Sequence, residues 1–241
     1  MRITFLGTSH GSPEPNRRCS ATLIEACGRR YLVDMGTQVI EPLKSLGIAP
    51  EEISAIFITH MHGDHTNGLI PFLDLASWRF KTADPAVYLP SDPAAVTEAI
   101  GAWLALNGTP MRSFRLYPVS EGLLYEDGCL RVTAYRTRHT AASFAYLLEA
   151  EGKRVLFSGD LSHTPAEDFP RGALTGGLDL AVCEAAHFEA TAYLPILGGE
   201  LAPRRLLINH YSPRRLAGVM EAIAAMPCPA DTATDGLVVE V

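Results

Sequence analysis

The chain has 241 residues, 47% of them hydrophobic and 20% charged, with a formal net charge of −7 at pH 7. That balance describes an ordinary globular protein with a sizeable core. The acidic surplus argues against a surface that coats nucleic acid, while leaving open an anionic substrate at a locally positive site.

Ile3 to Leu6 is a short β-rich run that ends at Gly7-Thr8-Ser9, and a loop follows through Asn16. Strands are predicted at Ser20 to Glu25 and Arg30 to Val33, joined by a turn at Cys27-Gly28-Arg29. The second ends at Asp34, with its carboxylate just past the strand. Val39, Leu43 and Leu46 share one face of a helix over Gln38 to Leu46, which Gly47 ends. Ile53 to Ile58 is a buried strand, and a helix begins at Gly68 to Leu75. Ala86 to Leu89 is a strand; Ser91 or Asp92 caps a helix from Pro93 to about Leu106. Further strands are expected at Arg115 to Val119, Leu130 to Thr137, Ser143 to Glu149, Arg154 to Phe157, Leu178 to Cys183, Arg205 to Ile208 and Leu237 to Val241. A helix is expected from Pro213 to Met226. Without regular βαβ alternation, the pattern fits two sheets with helices outside them better than a doubly wound parallel sheet.

No linker or charge block interrupts the chain, so a single domain over residues 1–241 is expected. The amino terminus lacks a signal-peptide pattern, and no window reaches ~20 uninterrupted apolar residues. Cys19, Cys27, Cys129, Cys183 and Cys228 are scattered without a C-x-x-C pair. They read as reduced thiols, with Cys183 a small core residue, in a cytoplasmic protein.

The densest chemistry lies just after the strand Ile53 to Ile58, in His60-Met61-His62-Gly63-Asp64-His65. Packing alone has no use for that composition, whereas imidazole and carboxylate donors suit a zinc-like ion. Four ligands from so short a loop are too tight for one ion, so the loop reads as serving two. His139, Asp160 and His210 each follow an apolar run and are placed on the same rim. A first metal would then take His60, His62 and His139, a second Asp64, His65 and His210, with Asp160 bridging. A water or hydroxide completing the bridge leaves an open, reactive position. Its pKa would fall to ~7, and Asp64 would orient it while ligating its metal. Zinc is expected; manganese and iron accept the same donors. Asp34 is placed to accept a hydrogen bond from a ligating histidine.

The motifs Asp34, His60-x-His62-x-Asp64-His65, His139, Ser158-Gly159-Asp160 and His210, in that order, resemble those of the metallo-β-lactamase fold superfamily over about residues 1 to 215. The resemblance implies an α+β, four-layered αββα sandwich with a dinuclear metal site on one rim. Phe5-Leu6-Gly7-Thr8, Arg17 with Ser20-Ala21, Asp34-x-Gly36, Ile56 to His60, Ser143-Phe144-x-Tyr146 and His210-x-Ser212-x-Arg214 narrow it to the ribonuclease Z and cyclic phosphodiesterase branch. That branch implies phosphodiester hydrolysis and, as its members often are, a homodimer. The short segment between Asp160 and His210, and Arg215 where that branch usually has tyrosine, disfavour tRNA and favour a small or cyclic phosphodiester.

His187, oriented by Glu184, is the candidate proton donor to the leaving alkoxide, and Ser212 and Arg214 are candidates for holding a substrate phosphate. The competing enzyme reading is hydrolysis of a lactone, thioester or other carboxylic ester, in which the metals stabilise an oxyanion. An iron redox protein and a non-catalytic binding module fit the complete ligand set less well. His10 and His163 read equally well as loop histidines bordering the pocket or as solvated ones, Trp78 and Trp103 as core or interface aromatics. The pairs Arg29–Arg30, Arg204–Arg205 and Arg214–Arg215 read as solvated faces.

Overall fold

Strands with both faces buried send alternate side chains into different cores, and most strands here do so. The computed structural model describes residues 1–241. It contains β1 (Arg2–Gly7), β2 (Ala21–Ala26), β3 (Arg29–Val33), β4 (Ile53–Phe57), β5 (Ala86–Leu89) and β6 (Arg115–Pro118). Then come β7 (Gly122–Glu126), β8 (Arg131–Thr137), β9 (Ser143–Ala150), β10 (Lys153–Phe157), β11 (Leu180–Glu184), β12 (Leu206–Asn209), β13 (Ala230–Thr232) and β14 (Val238–Glu240). They form two seven-stranded sheets, ordered β14-β1-β2-β3-β4-β5-β6 and β13-β12-β11-β10-β9-β8-β7.

Each sheet is antiparallel in one half and parallel in the other: β3 to β6 run parallel, as do β10 to β13. The absence of βαβ alternation expected from the sequence therefore holds only for the antiparallel halves. Parallel neighbours need crossovers, and these are α1 (Ile40–Ser45), α2 (Gly63–Thr66), α3 (Leu69–Trp78), α4 (Pro93–Leu106), α5 (Pro165–Asp168), α6 (Leu194–Leu197) and α7 (Leu216–Ala225). Asp92 caps α4 by accepting from the Ala94 N–H, and no helix is long and apolar enough to cross a membrane.

The sheets face each other across a core that takes Tyr31 and Val33 from β3, Phe57 from β4, Phe144 and Tyr146 from β9, and Val155 and Phe157 from β10. Intervening residues point outward. Leu32 and Ile56 pack with Leu69, Phe72 and Leu73 of α3, and Leu156 and Cys183 pack under α6 and α7. The result is four layers, helix–sheet–sheet–helix. Trp78 and Trp103 do not join a core; both are about half exposed.

β4, β8, β10 and β12 all end at one edge of the sandwich, each followed by a short loop. The loop after β4 meets the second sheet directly, because the Phe144 N–H donates to the Thr59 carbonyl at 2.9 Å and the Tyr146 hydroxyl to that of Ile58 at 2.5 Å.

Candidate metal centre

The residues singled out in the sequence meet at this edge in two groups, His60, His62 and His139 in one, and Asp64, His65, Asp160 and His210 in the other. In the first, His139 Nε2 lies 3.1 Å from His62 Nδ1, and the Nε2 atoms of His60 and His139 each lie 3.6 Å from Asp160 Oδ2. In the second, Asp160 Oδ1 lies 3.4 Å from His65 Nε2 and 3.5 Å from His210 Nδ1. Asp64 Oδ2 stands 3.0 Å from His210 Nε2 and 3.4 Å from His65 Nε2. Asp160 thus turns one oxygen to each group.

Donors around a tetrahedral ion with bonds of ~2.0–2.2 Å stand about 3.3–3.6 Å apart, so the spacing fits. Hydrogen bonding says the same. His60 Nε2, Asp160 Oδ1 and His210 Nδ1 are buried without a partner, and unpaired buried polar atoms in a native fold call for an explanation such as an ion. These residues fit a divalent metal.

The electrostatics follow from burial and from the crowd of carboxylates. Burial, with the nearby His65, pushes the His60 pKa down to about 2, so its imidazole stays neutral and keeps a lone pair to offer. Burial lowers the His139 pKa too. For Asp64 and Asp160 burial works the other way, but hydrogen bonds and charge from His65 and His210 outweigh it and hold both carboxyls below the ordinary range.

Buried partners hold each loop. Asp34, in the left-handed region with φ 60°, accepts from the Thr59 N–H at 2.8 Å and stands 2.7 Å from His65 Nδ1. A proton on that Nδ1 leaves the His65 Nε2 lone pair facing the cluster. Gly36 lets the chain pass under Asp64, since a Cβ there would lie 1.7 Å from the Asp64 carbonyl oxygen. His210, at φ 46°, donates its N–H to the Thr8 carbonyl at 3.2 Å. The Arg17 guanidinium lies 4.0 Å over the Tyr211 ring and donates to the Tyr211 carbonyl.

His187 belongs to neither of these groups; it forms a third donor cluster with His139 and Asp160, and so faces both. Its ring lies 4.5 Å from that of His139 and 6.1 Å from that of His210, and Nδ1 is 3.9 Å from Asp160 Oδ2. Glu184, only 2% exposed, holds that Nδ1 at 2.9 and 3.0 Å. Burial disfavours the imidazolium, but Glu184 outweighs it and raises the His187 pKa above the usual histidine value. Ser212 and Arg214 lie on the turn after His210, half-buried and exposed respectively, outside both groups.

Two residues whose part in the site is not legible in the sequence also build it. The buried Asp168 accepts from the Arg138 and Ser162 N–H groups, both at 2.6 Å, and so ties the loop of His139 to that of Asp160. A lone carboxylate in a short helix gives no local signal of that reach. Arg215, placed among the solvated arginines, is instead half-buried and donates from Nε to the Ala186 carbonyl at 3.0 Å.

A family model described as the metallo-beta-lactamase superfamily matches residues 15–195. Among curated proteins, a ribonuclease Z of Pseudomonas putida is 31% identical over 224 residues, covering 91% of this chain and 69% of that protein. A ribonuclease BN of Cronobacter sakazakii is 32% identical over 157 residues, covering 64% and 51%. The chain spans about half the length of several of the curated relatives it matches. Among solved structures, the short form of human tRNase Z superimposes with a TM-score of 0.73 at 23% identity, over 100% of this chain and 99% of that one. The metallo-beta-lactamase fold protein YhfI of Bacillus subtilis gives 0.78 at 18%, over 100% and 99%. A diphosphatase from the PhnP family gives 0.68 at 18%, over 100% and 97%. Matched by the family model over most of its length, the chain belongs to the metallo-beta-lactamase superfamily, among relatives named ribonuclease Z and ribonuclease BN.

Proposed function

We propose that this chain is a metal-dependent hydrolase that cleaves a small or cyclic phosphodiester at the paired clusters. The observation that carries the reading is Asp160 dividing its oxygens between two donor groups, with the hydrogen-bonded pair His187–Glu184 beside it. Charge balance supports two ions. Asp34, Asp64, Asp160 and Glu184 bring four carboxylates to the site, nearly all of their surface buried. Buried charge must be compensated nearby; the His187 imidazolium answers Glu184, and the other three carboxylates with one anionic nucleophile balance two dipositive cations.

When bound, such ions supply Lewis acidity toward phosphoryl oxygens and a nucleophile available near neutral pH, and the nitrogen and oxygen donors suit zinc, with manganese or iron accepted. The protein's own groups do the rest. His60, His62 and His139 would hold one ion, Asp64, His65 and His210 the other, with Asp160 shared. The second oxygen of Asp64 accepts a hydrogen bond from the attacking water and aims it at phosphorus. His187, with Nδ1 held by Glu184, presents Nε2 to the leaving alkoxide and gives it a proton. Glu184 stabilises the imidazolium until that proton is passed on, and a neutral imidazole is left. Ser212 and Arg214, at the mouth beyond His210, meet the far side of the substrate.

The small-substrate reading draws on the segment between Asp160 and His210. α5, α6 and the 3-10 turns at Arg171–Leu174 and Ala190–Tyr193 all send side chains into the second sheet's outer core, leaving little chain for an arm that grips a large RNA. The names of the curated relatives and of the PhnP-family neighbour support phosphodiester chemistry over ester chemistry.

The test is a panel of bis-p-nitrophenyl phosphate, a 2′,3′-cyclic nucleotide, a tRNA precursor and an acyl-lactone, run on zinc-loaded protein. Turnover of the two small diesters ahead of the other substrates is expected. Rapid lactone turnover with inert diesters would replace this reading with a carboxylic-ester hydrolase.

A further inference from the structure

Ala186, the residue just before His187, is clamped from both sides. Its N–H donates to the buried Glu184 carboxylate at 2.8 Å, and its carbonyl accepts from Arg215 Nε at 3.0 Å. The same guanidinium pairs through Nη1 with Glu189, the residue two past His187. Glu189 in turn lies tight against the start of α7, where a Cβ on Gly218 would come within 2.6 Å of its Oε2. The loop from Ala185 to Glu189 is irregular, with no strand or helix to hold it. Arg215 ends the 3-10 turn Pro213–Arg215 that follows His210, and the Ala185 N–H donates to the His210 carbonyl at 3.2 Å. One side chain therefore joins the loop that carries a candidate ligand to the loop that carries the candidate proton donor.

We propose that Arg215 is a positioning residue that sets His187 at its distance from the reacting centre. Its charge is already engaged by Glu189 and its Nε–H by Ala186, so it acts through the loop and not on substrate. The inference rests on the reading of His187 as the proton donor. A misplacement of about 1 Å in a catalytic group can cost on the order of 10²-fold in rate. Glu184 at the His187 N–H, 3.2 Å, and His163 Nδ1 at the His187 carbonyl, 2.9 Å, hold the loop from the second sheet and from the loop after Asp160, while Arg215 holds it from the α7 side. Arg214, one residue earlier, is exposed and enters no such bond.

The test compares Arg215→Ala, Arg215→Lys, Glu189→Gln and His187→Ala on two diesters. Bis-p-nitrophenyl phosphate has a leaving group that departs without a proton; a 2′,3′-cyclic nucleotide expels an alkoxide that needs one. His187→Ala should lose about 10²–10⁴-fold in kcat on the cyclic nucleotide and far less on the nitrophenyl diester. Arg215→Ala should show the same substrate dependence at about 10-fold, with KM little changed, and add almost nothing in the His187→Ala background. Arg215→Lys and Glu189→Gln, which each keep part of the clamp, should fall between. Amide hydrogen exchange over Ala185 to Glu189 should quicken in Arg215→Ala, a readout that needs no activity. Equal losses on both diesters, a full multiplicative effect with His187→Ala, or unchanged exchange would overturn the role of Arg215. A His187→Ala variant indifferent to the leaving group would overturn the proton-donor reading alone, with the exchange result still judging the clamp.

Discussion

Replacing Asp34 by asparagine should separate its charge from its shape. Asp34 is buried, at φ 60°, and its carboxylate accepts from the Thr59 N–H and hydroxyl and from His65 Nδ1 at 2.7 Å. Asparagine tolerates that backbone region, and its oxygen can still serve Thr59. Its amide N–H₂ then faces His65 Nδ1. Two donors cannot face each other, so the imidazole must give up its Nδ1 proton and carry it on Nε2, the atom that faces Asp160 and Asp64 at 3.4 Å each. The lone pair meant for the metal is then occupied. Loss of such an outer partner costs about 10–100-fold in metal affinity, or about 1.4–2.7 kcal/mol. Asp34→Ala would instead leave three buried donors without their acceptor, at about 1–3 kcal/mol each where no other partner is in reach, and put alanine in the left-handed region at a further ~1–2 kcal/mol. That variant should unfold more readily, where Asp34→Asn should stay folded and bind zinc weakly. Chelator competition with a zinc indicator, beside urea melts of both metal-free proteins, measures the two effects. Wild-type zinc affinity in a folded Asp34→Asn protein would refute the tautomer argument.

Metal removal should be visible in stability. With free zinc at about 1,000 times its Kd, binding adds about 4 kcal/mol, so chelation should lower Tm by roughly 8–16 °C for a domain of this size; identical melts with and without chelator would contradict the fit of the clusters. Far from the site, Asp127 accepts from the Leu130 N–H, the Tyr31 hydroxyl and Arg29, and these overcome burial to hold its carboxyl well below the ordinary range. A depressed folded pKa gives stability that is present above the unfolded value of ~3.9 and is lost as pH falls through the folded one. The urea midpoint of Asp127→Asn should therefore lie below wild type at pH 7, and the gap should close as pH falls below about 4; a gap independent of pH would sink the assignment.

What could be read from the sequence was whatever a run of residues states locally. Ile53 to Ile58 announces a strand because every position is apolar or small, and His60 to His65 announces ligands because no core needs them. β7 escaped notice because it is an edge strand with partly exposed residues and a register shift between Leu123 and Tyr125. β13 is three residues, Ala230–Thr232, and has no alternation to detect. The parallel halves were hidden for a related reason. Several of the helices that cross between their strands are only four residues long, too short to show a 3.6-residue period. Among site residues, the donors were legible by type, Asp34 and Glu184 by their place at strand ends, and the residues that tie the loops together were not. Asp168 and Arg215 act on backbone groups of distant loops, and nothing in their own neighbourhoods records that.

The division of the ligands between sheets ties the chemistry to the core between them. Asp34 and the His60 to His65 loop come from the first sheet; His139, Asp160, His187 and His210 come from the second. A one-residue slip in a strand turns its side chains to the opposite face, so each sheet presents its donors only in its own pairing register, and the two clusters need one register of sheet against sheet as well. Directly behind His60 that register is held by the Phe144 N–H to the Thr59 carbonyl and the Tyr146 hydroxyl to the Ile58 carbonyl. Phe57 packs against Tyr88, Tyr125 and Tyr146 in the same place. Gly159, one residue before Asp160, fits there because a Cβ would come within 2.8 Å of the Phe144 carbonyl. The aromatic layer between the sheets therefore does two jobs at the rim, burying apolar surface and fixing the spacing of donors that belong to different sheets.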